Sequence, residues 1–357
     1  MLRGKATSSG TQSYRAALGS AVPADHFRSW QGLAVSSIGL GTYLGREDEA
    51  TDRAYQAAIE RAVAGGLNVV DSAINYRRQR SERAVGSALA ALHESGRVKR
   101  ESIVVSTKGG FLPFDGPAPR GLLDPGDLVA GSHCMSPRYL QDQLERSLTN
   151  LGLERVDIYY VHNPETQLAE LPRAAVLDRL SAAFEFLESA ARSGTIGVYG
   201  TATWTAYRQP SDAQDALSLA EVVKTAKAVG GAGHHFRVVQ LPYNLAMTEA
   251  FTVPTQSRGR ASVTALELAQ ALDIYVMTSA SIYQGQLARN LPPVIGQFLP
   301  GLSTDAQRAL QFVRSTPGVG TALCGMKTIP HVDEALGLAA VAPVPWAEFQ
   351  KLFSPAE

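Results

Sequence analysis

The stretch Val69-Val70-Asp71-Ser72-Ala73-Ile74-Asn75-Tyr76 decides how this chain is read. A short apolar run stops abruptly at a carboxylate, and a tyrosine follows five residues later. Two later segments have the same form: Ile103-Val104-Val105-Ser106-Thr107-Lys108 and Asp157-Ile158-Tyr159-Tyr160-Val161-His162. Continuous apolar runs of this length read as strands buried on both faces, and each of the three ends on an ionisable side chain. A carboxylate, a phenol, an amine and an imidazole at the ends of consecutive strands have the composition of a constructed site.

Outward from these segments, strands alternate with helices. Residues 33–42 read as a strand running into a glycine turn. Residues 47–64 read as a helix with Ala54, Ala57, Ile59, Ala62 and Val63 on one side, stopped by Gly65-Gly66 before a strand over 67–71. A helix over 81–93 and a strand over 102–108 follow, then a long Gly/Pro-rich connection, 109–135. Ser136-Pro137 supplies an N-cap and a proline at the first helical position, ahead of Leu140, Leu144, Leu148 and Leu151 at helical spacing. Strands over 156–162, 195–201, 236–241, 274–278 and 319–324 then alternate with helices over 172–192, 212–228, 263–271, 303–315 and 330–340. That makes eight strand-then-helix units, with no repeated block and no linker-like interruption.

Such alternation implies a parallel sheet covered by helices, and eight units suit a closed barrel. The expected fold is a single α/β (β/α)8 TIM barrel over residues 26–357, with extended loops after strands 3, 5 and 6. Residues 1–25, which lack periodicity, are expected as a loosely packed tail. A doubly wound open sheet is the alternative. Functional groups spread over several strand ends favour the barrel, whose sites lie at the C-terminal rim.

Composition removes other classes of function. Lys+Arg and Asp+Glu balance at 33 each in 357 residues, so no basic field recruits nucleic acid or an anionic membrane. Hydrophobic residues make up 45%, enough for a large core, yet nothing approaches 18 consecutive apolar positions. Cys134 and Cys324 stand alone without a CxxC pair, which points away from a disulfide framework or a cysteine zinc site. A cytoplasmic location is expected, with a small-molecule substrate as partner and a homo-oligomer as one possible assembly. His234-His235 has no third ligand in view, and no metal is expected. No GxSxG elbow and no tyrosine four residues before a lysine are present. Gly39-Leu40-Gly41-Thr42-Tyr43-Leu44-Gly45 has GxGxxxG spacing, a turn leaving the first strand as readily as a dinucleotide loop.

Asp71, Tyr76, Lys108 and His162 make chemical sense together. A free tyrosine has a pKa of about 10 and gives up its proton reluctantly. A nearby ammonium stabilises the phenolate, and a carboxylate paired with that ammonium fixes it in place. A histidine within hydrogen-bond reach orients a carbonyl oxygen beside the phenol. The set is a proton donor to a developing alkoxide, as carbonyl reduction requires.

With these residues in view, the chain resembles the aldo-keto reductases over residues 32–338. The resemblance is carried by 38–42, Gly66-Leu67-Asn68-Val69-Val70-Asp71-Ser72-Ala73 with Tyr76, and Ser81-Glu82-Arg83-Ala84-Val85-Gly86. It continues through Ser106-Thr107-Lys108, the Leu-rich segment 144–153 with 156–162, and 194–204. The resemblance implies a (β/α)8 barrel that binds NADPH in extended form. It also implies a tetrad of Asp71, Tyr76, Lys108 and His162, with Tyr76 as general acid/base.

The cofactor contacts it implies transfer unevenly. The family's Ser-Asn pair after strand five, which holds the nicotinamide carboxamide, is Ala202-Thr203 here. Thr203 and Gln240 are then expected to supply that grip, with Tyr243 stacking on the nicotinamide. Gly41, Thr42 and Asp71 are expected beside the ring, and Ser279, Ser281 and Gln284 beside the pyrophosphate. Gly325, Lys327, Thr328, His331 and Glu334 are expected at the adenosine end, where Lys327 and the N-terminus of the following helix suit a 2′-phosphate. NADP(H) is therefore expected ahead of NAD(H). Tyr43, Tyr76, His162 and Trp204 are expected to meet substrate, within loops 109–135 and 204–235. Two rivals are a non-catalytic NADP(H) sensor on the same fold, and a barrel lyase or isomerase forming a Schiff base on Lys108. The substrate, the physiological direction and the role of residues 1–25 are not written in the sequence.

Overall fold

The computed structural model describes residues 1–353, except 115, 117–120 and 125. The N-terminal part forms α1 (Ser8–Ala17) and an antiparallel hairpin of β1 (Phe27–Trp30) and β2 (Leu33–Ser36). Then follow β3 (Ile38–Gly41), α2 (Glu49–Ala64), β4 (Val69–Asp71), α3 (Arg80–Glu94), β5 (Val104–Gly109), α4 (Pro137–Leu151), β6 (Val156–His162), α5 (Arg173–Arg192) and β7 (Ile196–Ala202). The second half contains α6 (Leu219–Gly230), β8 (Phe236–Pro242), α7 (Glu249–Thr252), a small hairpin of β9 (Gln256–Arg258) and β10 (Ala261–Val263), and α8 (Ala265–Ala271). The chain continues with β11 (Tyr275–Ser279), α9 (Pro293–Phe298), α10 (Asp305–Ser315), β12 (Thr321–Gly325) and α11 (Ile329–Ala339). Eight parallel strands close in the order β3 to β8, β11, β12, and back to β3. The expected (β/α)8 barrel is the fold.

Alternation along each strand separates two cores. Val69, Val104, Ile158, Tyr160, Val238, Met277 and Leu323 fill the barrel interior, whereas their strand neighbours pack outward against the helices. Gly39 sits in the interior layer. A β-carbon there would come within 2.7 Å of Leu323 and 3.0 Å of Val69. The first glycine of the GxGxxxG stretch therefore serves close packing rather than a phosphate turn.

Register carries the reactive side chains to one rim. Asp71 lies opposite Ser106, Lys108 opposite Tyr160, His162 opposite Ala202, and Ala202 opposite Gln240. The opposite end is plugged by the β1–β2 hairpin, with Trp30 stacked on Tyr275 at 4.8 Å between ring centroids.

Residues 1–25 depart from the loosely packed tail expected for them. Thr7 caps α1, its side chain accepting from Gly10 N at 3.0 Å, and Tyr14 is buried with its hydroxyl on the Val63 carbonyl. Ala6 N donates to Asp157 Oδ1 at 2.6 Å. Asp157 Oδ2 also accepts from Val105 N at 2.8 Å and from Arg100 at 2.7 Å, so one buried carboxylate joins the N-terminal arm to β5 and β6. The helix escaped sequence reading because Gly10 and Thr11, not an apolar stripe, make its close contacts.

Smaller differences have local causes. The strand read over 33–42 breaks at Ser37, whose N–H turns to the His26 carbonyl, so its first half joins the hairpin. The helix read over 212–228 begins only at Leu219, where Ser218 accepts from Glu221 N. Long connections follow the third, fifth and sixth barrel strands as expected, and a fourth follows β11 over 280–304.

Removing Asp157 leaves the Arg100 guanidinium, 3% exposed, without its counter-charge. Asp157→Ala is expected to cost about 3 kcal/mol or more, read as a lower urea midpoint with the barrel's far-UV signal retained below it.

Candidate active site

The rim is organised around Lys108. Its ammonium donates to Asp71 Oδ2 at 2.6 Å and to the Ser72 carbonyl at 2.8 Å, and its side chain is wholly buried. Asp71 Oδ1 accepts from Ser106 Oγ at 2.6 Å and from Gln240 Nε2 at 3.0 Å. Lys108 Nζ lies 4.8 Å from the Tyr76 ring centroid, and that ring stands edge-on to His162 at 5.9 Å. The four side chains singled out from sequence thus form one constellation, three lining a cleft of ≈ 1030 Å³ and Lys108 directly beneath.

The environment sets their protonation. Burial pushes the Tyr76 phenol above its ordinary value, Lys108 pulling in the opposite direction more weakly. The phenol therefore holds its proton at neutral pH. Burial alone would depress Lys108, but the nearby Asp71 and Tyr76 outweigh it and raise its pKa, so the amine stays charged. Burial, then Lys108, hold His162 well below the usual histidine range, leaving a neutral imidazole.

Tyr76 is aimed by an unusual turn. Arg77, Arg78 and Gln79 follow it with φ of 49°, 52° and 67°, three successive non-glycine residues in the left-handed region, which costs about 1 kcal/mol each. The side chain of Arg77, 2% exposed, holds this turn through Asp52 at 2.6 Å and the Arg46 carbonyl at 2.8 Å. Behind His162, His133 Nδ1 accepts from Gln167 Nε2 at 2.8 Å, which leaves Nε2–H to donate to the His162 carbonyl at 2.6 Å. Phe111 stands edge-on to both histidine rings, at 4.9 Å and 5.1 Å. His133 and Phe111 belong to the long loop after β5, which is thereby stapled to the rim.

The other positions expected from sequence divide. Gly41, Thr42, Tyr43, Thr203, Trp204, Gln240, Ser279, Ser281, Gln284, Gly325, Lys327, His331 and Glu334 line the same cleft. Thr328 is the N-cap residue of α11. Tyr243 is a correction: it is fully buried outside the cleft, stacked on Phe312 of α10 with its hydroxyl accepting from Thr316. One step past the inward Gln240, alternation turned Leu241 and Tyr243 outward. Gln240 is itself engaged by Asp71, and Thr203 hydrogen-bonds the Gln240 backbone. Of the loop 204–235, Trp204 alone lines the cleft among the described residues.

Sequence reading passed over Asn75, Phe111, Phe114, Ser132, Asn163 and Arg289, which also line it. Asn163 was discoverable as the residue after His162 at a strand end. Arg289 had no local signal, since the loop after β11 brings it round to α10, where Leu291 N donates to Asp305. Lys327 and Arg289 make no ion pair among the described residues. With the N–H groups at the start of α11, and against the one carboxylate of Glu334, they give that end of the cleft a net positive character.

A sequence profile of the Aldo/keto reductase family matches residues 37–292. The chain belongs to the aldo/keto reductase family. Among curated relatives, the uncharacterised oxidoreductase YqkF of Bacillus subtilis is 23% identical over 86% of this chain and 88% of its own length. An aldo-keto reductase family 1 member C23-like protein of horse is 31% identical, over 37% of this chain and only 33% of that protein. A 6-dehydroglucose reductase of Novosphingobium aromaticivorans is 27% identical over 49% of each. The solved aldo/keto reductase of Klebsiella pneumoniae in complex with NADP and acetate superposes with a TM-score of 0.63 at 21% identity, covering 93% of this chain and 96% of that one. At that identity the superposition speaks for the shared fold.

One carboxylate at the rim of this reductase barrel gives a stability test. Glu165 is buried, and its Oε1 accepts from the backbone N–H groups of Trp204 and Thr205 at 2.5 and 3.1 Å. Burial pushes its pKa up from 4.5 to about 7, the backbone donors opposing. The folded state therefore holds this proton more tightly than the unfolded chain. That stabilisation is complete below about pH 4.5 and is lost as pH rises through about 7. Glu165→Gln keeps an acceptor for both N–H groups and removes the titration. Urea midpoints at pH 5 and pH 8 should fall further in the parent than in the variant.

Proposed function

We propose that this chain is an NADP(H)-dependent oxidoreductase that reduces an aldehyde or ketone to the alcohol, or runs the reverse reaction. The observation that carries this reading is the Asp71–Lys108–Tyr76 arrangement beside a neutral His162 at the mouth of one long cleft. NADP(H), when bound, supplies or accepts the hydride. The residues present suit it: the cleft has a volume of ≈ 1030 Å³ and is lined from Tyr76 to Lys327, and Lys327, Arg289 and the start of α11 suit its phosphates.

The chain's own part is the proton. Tyr76 donates it to the carbonyl oxygen, and Lys108 stabilises the phenolate that forms. Asp71 keeps the ammonium in place and charged, while His162, as a neutral donor, orients the oxygen. In the alcohol-oxidising direction the same phenolate is the base.

One observation favours a second reading, a non-catalytic NADP(H) sensor. Ala202 offers no hydrogen bond to a carboxamide, and Gln240 is committed to Asp71. The Schiff-base lyase is disfavoured, because Lys108 is buried, charged and held by two acceptors.

Tyr76→Phe should lower turnover of a carbonyl panel about a thousandfold while leaving the NADPH dissociation constant nearly unchanged. Full activity in that variant would end the assignment, and NADPH binding without turnover in the parent would favour the sensor. Parent turnover should fall on the alkaline side, as Tyr76 and Lys108 lose protons, without a break near pH 6.5. Replacing Lys327 or Arg289 with Ala should weaken NADPH about tenfold with little effect on NADH, as measured by fluorescence titration.

A further inference from the structure

We propose, resting on the reductase reading above, that the reacting end of the cleft takes an uncharged carbonyl compound built on an aromatic ring system, in preference to a sugar or an anionic aldehyde. The walls around Tyr76 and His162 are aromatic. Tyr43 stands edge-on to Tyr76 at 4.9 Å, and Phe111 edge-on to His162 at 5.1 Å. Phe114, Trp204 and Leu44 line the same cleft. Tyr43 is 55% exposed, Phe114 49%, Trp204 41% and Leu44 40%, four of the ten large hydrophobic residues exposed among the described ones. Exposed Trp346 and Phe353 pack on Phe251 and Phe349 in a group of their own, whereas these four gather at the mouth of a cleft, which marks a binding surface.

These walls are also held in place before any ligand arrives. The Trp204 and Thr205 N–H groups are fixed on Glu165, and the Trp204 carbonyl accepts from Arg208, itself paired with Glu249 at 2.9 Å. The Phe111 carbonyl accepts from Gln143 at 2.7 Å, and its ring is wedged between His133 and His162. Rigid aromatic faces bind flat apolar bodies with little ordering cost.

Charge argues the same way. Of the ionisable groups lining the cleft, Arg289, Lys327, His331 and Glu334 sit towards α10 and α11, away from the reacting end. Near Tyr76, Asp71 is neutralised by Lys108 and His162 is uncharged. Among the described residues lining that end, none is a free cation that could receive a phosphate or carboxylate, and a desolvated unpaired anion is costly. Of the other neutral polar side chains near Tyr76, Thr42 is engaged by the Asp71 carbonyl and Ser72, Gln240 by Asp71 and Thr203 by the Gln240 carbonyl, which leaves Asn75, Ser132 and Asn163. They suffice to orient one or two oxygens. A polyhydroxylated sugar would leave most of its hydroxyls against Leu44 and aromatic faces, where a buried unpaired hydroxyl is unfavourable.

The test uses the full chain in two arms. With NADPH, kcat/KM is compared for 2-naphthaldehyde, 6-carboxy-2-naphthaldehyde, D-xylose and propanal. In parallel, 2-naphthylmethanol, 2-naphthoate and D-xylitol are titrated against intrinsic tryptophan fluorescence, which reads binding whether or not turnover occurs. Naphthaldehyde should lead its carboxylated analogue by about tenfold and xylose by more, and naphthylmethanol alone should quench at low concentration. Trp204→Ala and Phe114→Ala should each raise KM for naphthaldehyde about tenfold. A preference for xylose or for the carboxylated aldehyde overturns the inference. So does an unchanged naphthaldehyde KM in both variants. If no carbonyl is consumed while naphthylmethanol binds, the reductase reading fails and the aromatic site stands. If naphthylmethanol binds no better than xylitol, the aromatic site fails.

Discussion

Everything at the rim depends on one buried ion pair. Lys108 has no solvent to hydrate it, so its charge is tolerable only against Asp71 and the Ser72 carbonyl. That requirement fixes two neighbouring strands in register and points both side chains inward at one height. Ser106 and Gln240 then satisfy the remaining Asp71 oxygen, drawing β5 and β8 into the same polar layer. With the ammonium anchored, Tyr76 faces a fixed positive charge, and His162 is pushed towards neutrality by the same charge and by burial. A single electrostatic necessity thus orders the phenol, the ammonium and the imidazole beside them.

Around that layer the protein accepts local strain where geometry matters. The left-handed turn Arg77–Gln79 is unfavourable in isolation and survives because Arg77 is buried against Asp52, Arg46 and the ring of Tyr55. The loop after β5 would be long and poorly determined on its own, yet His133 and Phe111 tie it to the backbone and ring of His162. These ties fix the loop close to Tyr76 and His162, whereas the exposed Lys327 and Arg289 line the cleft without an ion pair among the described residues.

What sequence could show follows from how local each signal is. The barrel was legible because eight buried strands each carry their own apolar run, and register follows once the strands alternate with helices. The tetrad was legible because Asp71, Lys108 and His162 end those runs and Tyr76 follows the first of them by five residues. Tyr243 was misplaced because the parity of a residue just past a strand depends on where the strand stops. Arg289 and Asn163 were missed for different reasons: one arrives through a long loop, the other looks like an ordinary turn residue. The N-terminal helix was missed because small residues and a cap hold it, rather than a stripe with helical period.

The manner in which the barrel floor is closed has a consequence for the order of assembly. Ala6 and Trp30 plug an interior whose final wall, β12, is made about three hundred residues later, and Ser36 and Ser37 receive hydrogen bonds from Thr321 and Ala322. The hairpin therefore waits for a strand that lies far along the chain, although the arm before it finds Val63 and Asp157 sooner. Until then the hairpin edge at Ser36 and Ser37 lacks its β12 partners, so ring closure is a long-range event in which the two halves of the chain meet.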